Sequence, residues 1–198
     1  MIGEDGVGSV KVRAVSARAG LNDRYFYESF SDCEELVLAA FEDFAGAGVA
    51  AVTAAISDAP AELRSRILRT VDAAVAYVDD EPRNRRLLLE SQATEALRNR
   101  RGEVITFLAQ LMIAEGAELI GDYVATDRNS ELAALTVVGG TIDVVTMWLR
   151  GTLDIDRDQL IEFIVAMILT SATITTVLDR ELTGAKTNDT FANIGDSA

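Results

Sequence analysis

The sequence predicts an all-α fold, with a small N-terminal helix-turn-helix head and a larger helical body. Three observations predict it. Proline occurs only twice in 198 residues, and the strong helix formers Ala, Leu, Glu and Arg are abundant. Apolar residues recur at i, i+3, i+4 and i+7, the period of one helix face. Near the start, Val12 to Phe30 reads as two short helices meeting at a glycine.

The first of these helices covers about Val12 to Ala19. Val12, Val15 and Ala19 fall on one face at i, i+3 and i+7. Gly20 supplies the left-handed residue that ends it. Asn22 can cap the second helix through its side-chain oxygen. There Phe26 and Phe30, at i and i+4, face the core, while Arg24, Tyr25 and Tyr27 point elsewhere. Helix, glycine turn and polar-faced helix form a helix-turn-helix, whose second helix enters the DNA major groove.

The run AGLNDRYFYESF, Ala19 to Phe30, resembles the recognition-helix signature of TetR-type bacterial transcriptional regulators. That signature reads roughly AGVS, three variable residues, Tyr, two more residues and Phe. Ala19-Gly20, Tyr27, Phe30 and Leu36 fall in register, and Ser31 to Leu36 looks like the opening of the family's fourth helix. The rest of the chain is similar in helix count, length and character. The resemblance implies a head over residues 1–45 and an effector-binding and dimerisation body over 46–184. The small polar segment 185–198 is expected to be a disordered tail.

The DNA-binding residues expected on this basis are Lys11, Asn22, Arg24, Tyr25 and Tyr27. Lys11, near the start of the first motif helix, should touch phosphate. Arg24 is the candidate for a guanine O6/N7 contact. Tyr25 and Tyr27 stand where the family places hydroxyl groups on the phosphate backbone; partial packing within the head is their alternative role. Two departures stand out. Ile2 to Val7 looks like the last turn of the family's first helix, so most of that helix is expected to be missing. Cys33 stands where the family usually has a phosphate-binding lysine.

Charge fits this division of labour. The net charge is −14, yet residues 1–30 balance, with Lys11, Arg13, Arg18 and Arg24 against Glu4, Asp5, Asp23 and Glu28. The acidic excess lies in the body. An acidic body is repelled by DNA while a neutral head with basic residues on one face meets phosphates; the same charge also keeps the protein soluble.

Composition argues against an enzyme. The chain has no histidine, which removes the commonest general base and metal ligand. No catalytic cluster, metal site or cofactor motif is found. Gly3, Gly6 and Gly8 have the wrong order for a nucleotide loop, with no strand before them. Asp154 to Asp158 resembles a calcium loop but lacks its glycine and final glutamate, so Asp156 and Gln159 are read as a helix cap. Cys33, the single cysteine, fits a reducing compartment; flanking acids disfavour a reactive thiolate. With no export leader recognised, a cytoplasmic location is expected.

The body reads as further helices. A capping box at Ser31 and Glu34 opens one that continues through the Ala/Gly-rich stretch to about Ser57. Pro60 marks a boundary. A helix over about 61–80 has Arg64, Arg66 and Arg69 on a solvated face, and Glu81-Pro82 starts another. Arg98 to Gly102 is expected to break the chain before a helix at 103–123. Asn129 is expected to cap a helix over 130–153, and the last helix over 157–182 is uncharged from Phe163 to Leu178. That uncharged run is short for a membrane span and lacks flanking aromatics. Burial between helices of two subunits explains it instead, giving a two-fold four-helix interface built from 130–153 and 157–182.

Helices 61–123 with 130–153 should enclose an apolar effector pocket. Its candidate wall residues are Tyr77, Leu88, Phe107, Met112 and Trp148, and Asp143 is a buried carboxylate candidate for ligand or interface. The expected function is a ligand-responsive regulator, a repressor, binding a palindromic operator as a homodimer, with a small apolar effector and no membrane role. The alternative is a dimeric helical small-molecule-binding or interaction protein without DNA binding, for which the missing first helix and lysine argue.

Overall fold

The structure is a computed structural model that describes residues 6–120 and 128–171. Every regular element among the described residues is helical. A 3-10 turn at Val7–Ser9 leads into α1 (Val12–Ala19) and α2 (Asp23–Ser29). Next come α3 (Cys33–Ser57), α4 (Leu63–Asp79), α5 (Pro82–Leu89), α6 (Glu95–Ile120) and α7 (Arg128–Leu149). The final described helix, α8, covers 157–171.

The head forms as its residues dictate. Gly20 adopts φ 67°, and the N–H of Leu21 reaches back to the Ser16 carbonyl at 2.9 Å, a glycine C-cap. The Asn22 side chain accepts from the Arg24 N–H at 3.0 Å and starts α2. Phe26 is buried, and its ring meets Tyr27 edge-on and Phe30 at a tilt.

Helix α3 begins one residue later than the expected capping box. Asp32, not Ser31, accepts the N–H of Glu35 at 2.9 Å, and the Glu35 carboxylate accepts the N–H of Ser31 at 2.6 Å. A charged oxygen at the N-terminus complements the helix dipole better than a hydroxyl does. The helix then runs 25 residues without ending at Gly46 or Gly48.

The two glycines differ in surroundings. A Cβ at Gly48 would stand 3.0 Å from the Tyr77 ring, whereas one at Gly46 would meet nothing. Tyr77 stacks on Phe44 at 5.5 Å and donates its hydroxyl to the Phe44 carbonyl at 2.7 Å, so its ring is held. Burial raises the Tyr77 hydroxyl above its ordinary pKa. Gly46→Ala is therefore expected to stabilise by up to about 1 kcal/mol, and Gly48→Ala to destabilise by about 1–3 kcal/mol through overpacking. Urea denaturation of the two variants checks both signs.

Two surface caps are pH-sensitive. Hydrogen bonds from Ser31 hold the Glu35 carboxyl below its ordinary value, and the hydroxyl and N–H of Ser65 do the same for Glu62 at the start of α4. A carboxylate favoured by folding lends stability above the unfolded pKa of about 4.3, and loses it as pH falls through the lower folded value. Thermal melts are expected to drop on acidification below this point, and less steeply in the Glu35→Gln, Glu62→Gln double variant.

The expected break at Arg98–Gly102 does not occur, because α6 is continuous from Glu95. Each arginine there has a partner. Arg98 donates to the Gln92 carbonyl at 3.0 Å, Arg100 pairs with Glu42 and Glu103, and Arg101 pairs with Asp143 at 2.5 Å. Gly102 is thus tolerated inside a helix, where it costs about 1 kcal/mol relative to alanine. Arg128 is already helical, so Asn129 lies inside α7 rather than at its cap. It ends at Leu149 rather than 153, and Gly151 turns the chain at φ 73°. Asp156 and Gln159 cap α8 reciprocally, at 2.8 and 3.1 Å, as the sequence predicts. The expected extension of this helix to 182 and the tail at 185–198 lie outside the described residues.

Helix α3 packs most extensively on α4, and α6 on α7. The core joins Val37 and Phe41 of α3, Val75 of α4, Leu87 of α5 and Leu160 and Val165 of α8. Leu87 is only 1% exposed, so Leu87→Ala is expected to cost about 2–5 kcal/mol, read by chemical denaturation. Helices α3 and α7 are long and apolar enough to cross a membrane by length and composition. Their charges oppose it: Glu42 and Asp43 interrupt α3, and Asp143 lies within α7, where a carboxylate at mid-bilayer costs about 2.5–3.5 kcal/mol.

Candidate nucleic-acid interface and ligand cavity

The head presents its expected DNA-binding residues to the surface. Lys11 is exposed at the start of α1, and Asn22 is exposed at the start of α2. Tyr25 and Tyr27 are 55% and 61% exposed, so neither is packed away. The Arg24 side chain is 83% exposed, with Nε 3.0 Å from Glu28 Oε1. An exposed i, i+4 pair of this kind contributes at most about 0.5 kcal/mol, so it orients the guanidinium without sequestering it. Phe26 anchors α2 from beneath while these polar residues face out. Leu21, 54% exposed beside them, is an apolar side chain that the sequence reading did not single out.

The segment ahead of α1 is tied to the body. The Val7 N–H donates to Glu90 Oε2 at 2.5 Å, and Arg86 holds the other Glu90 oxygen at 2.5 Å. Val10 is buried in the same core as Leu87. The head therefore bears directly on the end of α5.

A cavity of about 400 Å³ lies between α3, α4, α6, α7 and α8. Antiparallel α3 and α4 give it a long axis. Phe44, Tyr77 and Leu88 stand at the end nearer the head, and Ile56, Leu63 and Glu115 at the far end. Its wall is overwhelmingly aliphatic.

Of the residues expected in this wall, Tyr77, Leu88 and Met112 line the cavity. The other three stand elsewhere. Phe107 is 50% exposed on the outer side of α6. Trp148 donates its indole N–H to the Ile155 carbonyl at 3.0 Å, bracing the turn before α8. Asp143, expected to be buried, is exposed within the chain and ion-pairs with Arg101.

The charged lining residues are Arg66 and Glu115, paired at 3.3 Å. Arg66 does not join Arg64 and Arg69 on a solvated face as expected; its side chain is only 18% exposed. The signal was present in the spacing. Arg66 lies three residues after Leu63 and four before Thr70, at the edge of the apolar stripe. Glu115 likewise occupies a stripe position after Leu108, Leu111 and Met112.

Three solved structures share this architecture. A candidate transcriptional regulator from Pseudomonas aeruginosa PAO1 matches 87% of this chain and 85% of its own, with TM-score 0.69 and 18% identity. A candidate TetR-family transcriptional regulator from Syntrophomonas wolfei matches 87% of this chain and 89% of its own, with TM-score 0.69 and 15% identity. The chain has the TetR-type fold. The transcriptional regulator FadR from Bacillus subtilis, in complex with stearoyl-CoA, shares it over 88% of this chain and 91% of its own, with TM-score 0.61 and 18% identity. No family model and no curated protein matches the sequence. In the TetR-type fold, the resemblance read from Ala19 to Phe30 coincides with α2 and the turn before it.

Proposed function

We infer that this protein is a ligand-responsive DNA-binding transcriptional regulator, acting as a repressor. The observation that carries this reading is an exposed recognition-type helix on the same chain as an apolar cavity. The cavity volume falls within the usual range for small-molecule sites, about 300–1,000 Å³. Residues 1–45 serve as the head and 46–184 as the effector and dimerisation body, with α3 passing unbroken between them. Helix α5 supplies the coupling: Leu88 faces the cavity, and Glu90 just beyond holds the segment before α1. A ligand that favours one position of α5 shifts the head and with it operator affinity.

The regulator works as a homodimer through α7 and α8. Leu132 and Met147 on α7, with Phe163 and Met167 on α8, are between 44% and 56% exposed in the single chain. A Cβ at Gly140 of α7 would meet no neighbour, leaving room for a partner helix to approach. Two helices from each subunit then bury this face in a two-fold bundle and set two heads on a palindromic operator. The protein acts in the cytoplasm, without a membrane role.

Fluorescence anisotropy with the duplex upstream of its own gene tests the reading. Saturable binding that weakens steeply with salt is expected. The runner-up is a dimeric ligand-binding protein with no DNA role, favoured by the absence of a cation at Cys33. Salt-independent or absent binding, with an intact dimer, would select it.

A further inference from the structure

We propose that the effector is an extended single-chain amphiphile with one carboxylate, its head on Arg66 and its tail running toward Tyr77. This rests on the reading of the cavity as the effector site. The cavity is long: Leu63 to Val78 along α4 spans about 22 Å at the helical rise. A volume of about 400 Å³ over that length accommodates one aliphatic chain. At the Tyr77 end the tyrosine hydroxyl is committed, donating to the Phe44 carbonyl. Thr70 and Ser171 likewise donate to backbone carbonyls, of Arg66 and Ile168.

The far end differs. Arg66 uses Nη1 to hold Glu115 at 3.3 Å, while its Nε is buried without a hydrogen-bond partner among the described residues. Nε is closed to any ligand atom, so the donor left for a carboxylate is Nη2, through one charge-assisted hydrogen bond. Glu115 keeps Arg66 oriented from the other side and argues against a more highly charged anion. A cationic head is the opposite case, drawn to Glu115, but Glu115 has its partner and Arg66 has the vacant donor.

The test compares stearate, octadecan-1-ol, octadecylammonium and stearoyl-CoA by displacement of a fluorescent fatty-chain probe from the full chain. Stearate is expected to bind about 10- to 100-fold more tightly than the alcohol. Arg66→Gln should erase that preference, and a cooperative urea transition shows that the variant is folded. Glu115→Gln should tighten stearate several-fold by removing a like charge. Equal binding of stearate and alcohol, or preference for the ammonium, would overturn the carboxylate head and leave the cavity as an effector site. Tighter binding of stearoyl-CoA, undiminished in Arg66→Gln, would overturn it in favour of a thioester. Failure of all four to bind would overturn both this proposal and the effector-site reading beneath it.

Discussion

Arg24→Ala is expected to lower discrimination at one or two operator positions by about 1–3 kcal/mol, roughly 5- to 150-fold in relative affinity. The reasoning starts from exposure. Arg24 is the most exposed charged side chain described on α2, and its pairing with Glu28 is too weak to hold it back from a base edge. Its backbone N–H is fixed by Asn22, so the guanidinium starts from a defined point at the beginning of the helix. Lys11→Ala should behave differently. Lys11 lies outside α2, where a cation meets phosphate rather than a base, so its loss weakens all sequences alike and lowers the salt slope by about one. Competition anisotropy with single-base operator variants separates the two. Equal loss of specificity from both substitutions would refute the division of roles.

If the chain pairs through α7 and α8 as proposed, Phe163→Glu with Met167→Glu is expected to leave a monomer of 21.3 kDa, as measured by sedimentation equilibrium. Both residues lie one turn apart on the outer face of α8, while Leu160 and Ile164 face the subunit's own core. The substitutions therefore leave the monomer fold intact. A two-fold interface feels each change twice, and truncating a well-buried anchor alone costs about 2 kcal/mol or more. The dimer dissociation constant should rise at least about 100-fold. Operator affinity should fall with it, because each head then binds a half-site singly. An unchanged dimer would move the interface elsewhere.

What was legible in the sequence follows from the range of each interaction. The head was legible because its signals are local: Gly20 with positive φ, the Asn22 cap, and Phe26 and Phe30 one turn apart. The caps at Pro82 and at Asp156 with Gln159 are local in the same sense. The cavity was less legible. Tyr77, Leu88 and Met112 share the stripes that form it, but Phe107 faces outward and Trp148 braces the turn before α8, and residue type alone does not say which side of a helix faces the cavity. The Arg98–Gly102 break failed because its arginines find carboxylates on α3 and α7, distant in sequence. Arg66 was read as a solvated charge although it and Glu115 sit at stripe positions; their pairing, 49 residues apart, is what the stripe alone does not show.

The central claim is that paired copies of α2 read a double helix. Selection of bound duplexes from a randomised pool, followed by sequencing, tests it most directly. The account predicts enrichment of an inverted repeat whose half-sites are separated by about one helical turn or a multiple, lost in Arg24→Ala. A pool that stays random through successive rounds, with a protein that is folded and dimeric, would contradict it.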